Sequence, residues 1–274
     1  MPTHPAPTHA FGGLPDVPGL CPADTLALLQ TGTRPPAAGP PAEARLLEGR
    51  HLAIVVAGTG DPSAEVFIDA ARALGASLAR ISPDDLALED VARAADTARL
   101  LGRLYAVVGC AGLGPRSVAV LRHACGVPVL DDLAAAAHPS RLLADVMTLK
   151  QAWRNAEAGT PARPRLGVYG PARSALLRAW KNIGAASGVD VVDLSAPGAA
   201  AAAAALDFVC RPGQPPELLA LGAHGATAGP REALLVSLAA QQRCNHSLVV
   251  QALLRKALGS PAALRLPHGT SSAA

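Results

Sequence analysis

The sequence predicts a protein of two α/β domains with mainly parallel sheets. Short apolar runs rich in β-branched residues alternate with helical patterns, which is typical of parallel sheets covered by helices. The alternation occurs in two blocks, separated by one long helix over residues 138–158. With 274 residues, the chain is long enough for one large or two medium domains. Half of the residues are apolar and only 16% are charged, which excludes global disorder.

The first block follows a region rich in proline and glycine. We expect residues 1–18 to be a disordered tail, a short helix to begin at Pro22, and residues 31–42 to be a linker that no helix crosses. Asp61 and Pro62 mark a helix start, because Asp is a favoured N-cap and Pro suits the first helical position. The predicted elements are strand 52–56, helix 62–74, strand 76–81, helix 89–103, strand 104–108, helix 116–125 and strand 127–130.

The second block follows Pro161 and Pro164, which end the long helix. The alanine run 199–205 fits either a helix or low-complexity filler. The other predicted elements are strand 166–169, helix 172–186, strands 189–194 and 206–210, a weak strand 218–223, strand 234–236 and a last helix 247–258. We therefore expect one domain over residues 19–150, a second over residues 165–258, and a loose tail over residues 259–274.

Charge and cysteine content narrow the class of protein. The net charge of +3, from 24 basic and 21 acidic residues, is too balanced for an electrostatic nucleic-acid binder. Five scattered cysteines argue against a disulfide scaffold or a zinc site and favour a reducing compartment. We expect these cysteines to be buried as small apolar residues. No apolar run reaches the roughly 18 residues of a membrane span, and residues 1–18 lack the pattern of a signal peptide.

The sequence therefore predicts a cytoplasmic protein that binds neither nucleic acid nor membrane. Common sequence motifs for nucleotide binding and for nucleophilic catalysis are also absent from the sequence. The Gly58-Thr59-Gly60 turn is followed by no lysine, so it is not a nucleotide P-loop. Neither a dinucleotide fingerprint nor a nucleophile elbow occurs. We expect no cofactor and no metal.

Four segments, in chain order, carry a family resemblance. They are Phe67–Ile81 (FIDAARALGASLARI), Asp96–Arg103 (DTARLLGR), His138–Asp145 (HPSRLLAD) with the following VMTL, and Gln241–Arg243 (QQR) before the last helix. Together they resemble the aspartate/ornithine carbamoyltransferase family over roughly residues 20–258, and HPSRLLAD is the most specific of them. The resemblance implies two Rossmann-like domains joined by long interdomain helices. The first would bind carbamoyl phosphate and the second an amino acid, in trimers with active sites between subunits.

The family transfers a carbamoyl group from carbamoyl phosphate to an amino group. This chemistry needs a cradle for the phosphate, donors aimed at the carbonyl oxygen, and an amine held in line with the carbonyl carbon. The resemblance gives His138 the role of donor to the carbamoyl oxygen, although it is otherwise an ordinary helix-start residue. Arg141 replaces a family glutamine; it can donate but not accept, so it would contact phosphate rather than the carbamoyl nitrogen. Arg243 matches an arginine that contacts an anion or carbonyl, or else it is a solvated helix residue.

The phosphate cradle departs from the family pattern. The S-T-R-T-R motif falls on Gly60–Ala64, where both arginines are missing, and a third is missing from the turn at 107–111. The remaining candidates are the helix-start amides with Thr59, Gly60 and Ser63. Asp61 is either an ordinary N-cap or a charge that opposes phosphate, by about 4 kcal/mol at 4 Å and an effective dielectric near 20.

The second-substrate motifs are also incomplete. The ornithine-type D-x-x-x-S-M-G is absent, whereas Arg211 and Gln214 echo the aspartate-type L-R-x-Q with the spacing off by one. His224 matches the histidine of the family's H-P-L-P or H-C-L-P turn. The absent ornithine motif and the Arg211–Gln214 echo favour an aspartate-like over an ornithine-like acceptor. Two hypotheses remain: a divergent carbamoyltransferase, or a catalytically inactive paralogue that assembles with an active partner or binds another small anion.

Overall fold

The computed structural model describes residues 46–88, 90–154, 163–170, 174–199, 205–213, 215–221 and 235–259. The predicted N-terminal tail, short helix and linker, most of the alanine run and the C-terminal tail lie outside these residues. Internal contacts divide the chain into two units. The described part of the first unit is residues 46–141 and 243–259, and that of the second unit falls within residues 142–242.

The first unit contains a four-stranded parallel sheet. Its strands are β1 (His51–Val56), β2 (Ser77–Ile81), β3 (Val107–Ala111) and β4 (Val129–Asp131). The order across the sheet is β2-β1-β3-β4, so the chain turns to opposite sides after β1 and after β3. Such a reversal opens a crevice at the carboxyl ends of the two central strands.

Helices cover the buried strands of this sheet. They are α1 (Pro62–Ala73), α2 (Val91–Leu104) and α3 (Pro115–Ala124), with a short 3-10 turn at Pro83–Leu86. Residues 52–56 of β1 are all buried, as expected for a strand covered on both faces. Phe67 and Ile68 of α1 are buried in the same unit. The core is otherwise built from small aliphatic side chains, in keeping with the 3% aromatic content.

The second unit contains a five-stranded mixed sheet. Its elements are β5 (Arg165–Val168), α5 (Ala175–Ser187), β6 (Asp190–Asp193), β7 (Phe208–Arg211), β8 (Glu217–Leu221) and β9 (Leu235–Ser237). The order is β6-β5-β7-β8-β9; the pairs formed by β5 are parallel, and β8 pairs antiparallel with both neighbours. Of the seven strand pairs among the described residues, five are parallel, so the expectation of mainly parallel sheets is confirmed, and the two antiparallel pairs both involve β8. The connection between β7 and β8, residues 212–216, is too short for a parallel crossover.

Two long helices pass from one unit to the other along the chain. The first, α4 (Pro139–Arg154), begins in the first unit, and the second, α6 (Ala239–Gly259), begins in the second unit. The sequence-based division assigned the last helix to the C-terminal domain, whereas the contacts group residues 243–259 with the first unit. The substrate-binding domains at 19–150 and 165–258 stay a prediction. Within the described residues, no helix combines the length and apolarity needed to cross a membrane.

Candidate functional site

The predicted first-unit site lies at the carboxyl ends of the parallel strands. The loops after β1 and β3 flank the point where the strand order reverses, and the loop 132–138 leads from β4 into α4. The Ala134 backbone N–H donates to Ser63 Oγ at 2.9 Å, and this hydrogen bond holds the loop 132–138 against the start of α1. The structure thus brings the turn that carries Thr59, Gly60 and Ser63 next to the loop that precedes His138.

The start of α1 is capped by the protein's own carboxylate. Asp61 is the N-cap residue, and its Oδ1 accepts from the backbone N–H of Ser63 at 2.8 Å and of Ala64 at 3.2 Å. The N-cap interpretation of Asp61 is confirmed. Thr59 is exposed, and Gly60 has a φ of +87°, in the region that favours glycine. The amides that would meet a phosphate therefore already have an anionic partner.

Arg80 is a basic residue near this turn that the sequence analysis missed. It lies on β2 opposite Ile54 of β1. Its Nη2 donates to the Gly58 carbonyl oxygen at 3.0 Å, and its Nη1 lies 3.4 Å from Glu65 Oε1. Both side chains of this ion pair are more than a third exposed, so the pair is weak. The signal that could have found Arg80 is its place one residue before the carboxyl end of a strand beside β1.

His138 lies half-buried directly before α4. Its Nδ1 accepts from the Ser140 backbone N–H at 3.2 Å and lies 2.7 Å from Ser140 Oγ. A backbone N–H can only donate, so Nδ1 carries no proton. Burial lowers the pKa of His138, against the opposing effect of the carboxylates of Asp131 and Asp132. The side chain is therefore a neutral imidazole with its proton on Nε2.

A second histidine contacts the same serine side chain as His138. His246 of α6 is 2% exposed, and its Nε2 lies 3.3 Å from Ser140 Oγ. Burial lowers the pKa of His246 to about 3, with smaller contributions from Arg141 and His138. His246 is therefore neutral near pH 7. The sequence analysis did not single out His246.

The two catalytic arginine candidates differ in exposure. Arg141, on the first turn of α4, is 3% exposed, and its charge acts on His246. Arg243 is exposed on α6. A substrate contact by either arginine stays a prediction.

The second-substrate candidates belong to the second unit. Arg211 of β7 forms an ion pair with Glu217, its partner residue on β8. Ser237 Oγ donates to Glu217 Oε1 at 2.5 Å, and this hydrogen bond and Arg211 lower the pKa of Glu217. Arg211 is thus held by a cross-strand pair. Gln214 and His224 lie outside the described residues.

The cysteines only partly follow the expectation of burial. Cys110, Cys125 and Cys210 are buried, Cys244 is exposed, and Cys21 lies outside the described residues. The expectation is wrong for Cys244, which lies on the outward face of α6. Burial raises the pKa of Cys110 to about 12, so its thiol is not ionised at neutral pH. Over the described ranges, no three His, Cys, Asp or Glu side chains form a cluster that could hold a metal ion.

Known proteins with similar sequences are carbamoyltransferases. The chain is 32% identical over 148 residues to a catabolic ornithine carbamoyltransferase of Burkholderia mallei, covering 54% of this chain and 42% of that enzyme. It is 34% identical over 107 residues to an ornithine carbamoyltransferase of Streptococcus uberis, covering 39% of this chain and 32% of that enzyme. The chain thus matches less than half the length of these curated relatives. No family model matches it.

A solved structure extends the comparison to most of the chain. The X-ray structure of a Trypanosoma cruzi protein assigned as an aspartate carbamoyltransferase matches 85% of this chain and 92% of its own, with a TM-score of 0.53 and 17% identity. At that identity the match establishes the fold alone. The chain is therefore an α/β protein with a carbamoyltransferase-like fold. Together with the two sequence relatives, this match confirms the resemblance to the aspartate/ornithine carbamoyltransferase family.

Proposed function

We propose that the protein transfers a carbamoyl group from carbamoyl phosphate to the amino group of an amino acid, with an aspartate-like acceptor favoured over an ornithine-like one. The observation that carries the proposal is the state of His138. A neutral imidazole with its proton held on Nε2 is a hydrogen-bond donor suited to a carbonyl oxygen. The sequence relatives, which are named as carbamoyltransferases, support the same reaction.

In the proposed mechanism, His138 stabilises the charge that develops on the carbamoyl oxygen. The amino group of the acceptor attacks the carbamoyl carbon and forms the new C–N bond. As that bond forms, the carbonyl oxygen gains negative charge, and the Nε2–H of His138 donates to it more strongly than in the ground state. The bond from carbon to the phosphate oxygen then breaks, phosphate leaves with the electron pair, and the proton lost by the amine passes to the leaving phosphate, which departs as hydrogen phosphate.

The phosphate would need cations that this chain supplies differently from the family. Arg80 lies against the turn after β1, and Arg141 lies at the start of α4. A guanidinium is a good phosphate donor because it carries several N–H groups in a planar fork. We therefore assign phosphate contacts to Arg80 and Arg141, and an anion or carbonyl contact to Arg243.

A second candidate is a catalytically inactive paralogue, and Asp61 favours it. The Asp61 carboxylate occupies the α1 amides, and Asp131 and Asp132 add negative charge close to His138. A dianionic phosphate would be repelled from this edge of the sheet. In this case the fold would serve assembly with an active carbamoyltransferase or bind a less charged anion.

Calorimetric titration with carbamoyl phosphate, with inorganic phosphate as the control ligand, tests both candidates. The matched variants are His138→Ala and Asp61→Asn; Asn caps a helix as well as Asp but carries no charge. Transferase function predicts that the unaltered protein binds carbamoyl phosphate, that His138→Ala weakens binding, and that an amino acid acceptor yields a ureido product.

The two candidates give different patterns in this titration. Binding by Asp61→Asn alone would favour the inactive paralogue, in which Asp61 closes the phosphate site. Absence of binding in every variant would overturn carbamoyl phosphate as the ligand. A search for partner proteins would then follow, beginning with active carbamoyltransferases from the same cell.

A further inference from the structure

We propose that His246 is a positioning residue for His138 and acts through the hydroxyl of Ser140. The inference rests on the proposed function for its catalytic consequence, but the positioning itself can be observed in the resting protein. His138, Ser140 and His246 all belong to the first unit, although His246 is 106 residues from Ser140 in sequence. They form a chain of contacts, His246 Nε2 to Ser140 Oγ at 3.3 Å and Ser140 Oγ to His138 Nδ1 at 2.7 Å.

The direction of the hydrogen bonds in this chain follows from one backbone group. The Ser140 N–H donates to His138 Nδ1, so that nitrogen presents a lone pair. Ser140 Oγ, 2.7 Å away, must then donate its proton to Nδ1, because two lone pairs would otherwise face each other. With its proton committed, Ser140 Oγ can only accept from His246 Nε2. The chain therefore runs from His246 Nε2–H to Ser140 O–H to His138 Nδ1.

A competing acceptor shows why His246 matters. The Leu133 carbonyl oxygen lies 3.4 Å from Ser140 Oγ and could draw the serine proton away from His138. The same carbonyl hydrogen bonds to His246. A neutral His246 has one ring N–H, and sharing of this N–H between Ser140 Oγ and the Leu133 carbonyl oxygen would leave the serine proton directed at His138. Without His246, the Ser140 hydroxyl would be free to turn to Leu133.

Burial keeps this arrangement in one protonation state. Ser140 is fully buried and His246 is 2% exposed. The charged groups that face His246 and His138 are Arg141, Asp131, Asp132 and Arg122. Arg141 opposes a positive charge on His246, so His246 keeps one ring proton to donate. Through the Ser140 hydroxyl, this buried neutral donor reinforces the His138 tautomer that the Ser140 backbone N–H favours, as orienting groups do for histidines in catalytic sites.

The test measures the His138 tautomer directly. In protein with ¹⁵N-labelled histidine, ring nitrogen shifts distinguish a protonated from an unprotonated nitrogen, and His138→Ala assigns the His138 signals. The Ser140 backbone N–H remains in both variants, but its 3.2 Å contact with His138 Nδ1 is longer than the 2.7 Å contact of the Ser140 hydroxyl. His246→Leu and Ser140→Ala should therefore both increase, without completing, the fraction of His138 with its proton on Nδ1. Ser140→Thr, which keeps the hydroxyl, and His246→Gln, which keeps an N–H donor, should restore the Nε2–H form. His51→Gln, at an exposed histidine of the same unit, is the control.

The kinetic arm links positioning to the proposed reaction. His246→Leu should lower kcat about tenfold, less than the roughly 10² expected for complete loss of a donor to the carbonyl oxygen. KM should change less than twofold, and His246→Gln should recover most of the rate. A tautomer shift in a protein that transfers no carbamoyl group would sustain the positioning role while overturning the proposed function.

An unchanged His138 tautomer in folded Ser140→Ala would overturn the inference, whatever the activity. The same holds for folded His246→Leu. If His246→Leu does not fold, Ser140→Ala decides the matter, since it breaks the connection and leaves His246 in place. An equal loss of rate in His246→Leu and His246→Gln, with no change of tautomer, would assign His246 a packing role instead.

Discussion

At the residue scale, Asp61 favours helix stability but opposes phosphate binding. Its carboxylate satisfies two α1 amides that would otherwise lack partners, which stabilises the helix. The same negative charge stands at the helix start where the family resemblance predicts a phosphate site. Stability and phosphate binding therefore depend on different properties of one side chain, its hydrogen-bonding oxygen and its charge.

Replacement of Asp61 separates these two properties. Asp61→Ala removes the cap and should lower the free energy of unfolding by about 1 kcal/mol. Asp61→Asn keeps a capping oxygen and should leave the free energy of unfolding within a few tenths of a kcal/mol of its original value. Urea denaturation followed by circular dichroism measures both. Equal losses in the two variants would contradict capping by the side-chain oxygen and point to the charge instead.

Buried His246 makes stability depend on pH. Its pKa is about 3 in the folded protein and about 6.5 in the unfolded chain, so between these values the unfolded chain binds more protons. The contribution of His246 is complete above pH 6.5 and is lost as the pH falls, at up to about 1.4 kcal/mol per pH unit. His246→Gln should flatten the plot of unfolding free energy against pH between 4 and 6. Parallel plots for His246→Gln, the original protein and His51→Gln would refute this.

Residue roles could be predicted from the sequence where the signal is local. Asp61 followed by Pro62 indicates a capped helix start, and the structure confirms it. His138 came from a motif whose residues adjoin it. The contact between Ser140 and His246 joins residues 106 positions apart, and no local pattern encodes such a pair. Arg80 was missed because its contact with Gly58 depends on the register between two strands.

At the scale of elements, periodicity located most helices and strands but not all their ends. Strand β3 begins at Val107 rather than at 104, because α2 continues to Leu104. Helix α6 begins at Ala239, eight residues before the predicted start at Ser247. Serine favours a helix start locally, but here tertiary contacts extend the helix: Gln242 hydrogen bonds with Asp145 and the Leu218 backbone N–H.

The close packing of α2 against the end of α3 requires a glycine at position 102. A Cβ on Gly102 would lie 1.7 Å from the Cys125 carbonyl oxygen, and backbone cannot move aside as a flexible side chain can. Gly102→Ala should therefore destabilise the protein by about 2 kcal/mol or more, despite the better helix propensity of alanine. Thermal and urea unfolding measure the loss.

Gly259→Ala is the matched control, because Gly259 also lies in a helix but a Cβ there meets nothing within 4 Å. It should leave stability unchanged or raise it by up to about 1 kcal/mol. If the two variants unfold alike, the close approach of Gly102 to Cys125 does not constrain the fold.

At the scale of the whole molecule, we expect a homotrimer or association with a related carbamoyltransferase, on the basis of the family resemblance. Sedimentation equilibrium of the purified chain should then give three times the monomer mass of 27.6 kDa. Addition of an active carbamoyltransferase from the same cell tests the mixed assembly. A monomer mass that persists with and without that partner would contradict both forms of assembly.

The first unit is discontinuous in sequence, so its two segments are synthesised at different times. Residues 46–141 are synthesised before the helical segment 243–259 that belongs with them. At about 5–20 residues per second, synthesis of the intervening stretch takes on the order of 5–20 s. During that interval Ser140 and His138 exist without His246. Until segment 243–259 has been made, the first unit also lacks the buried apolar side chains of α6, among them Val249, Val250 and Leu254.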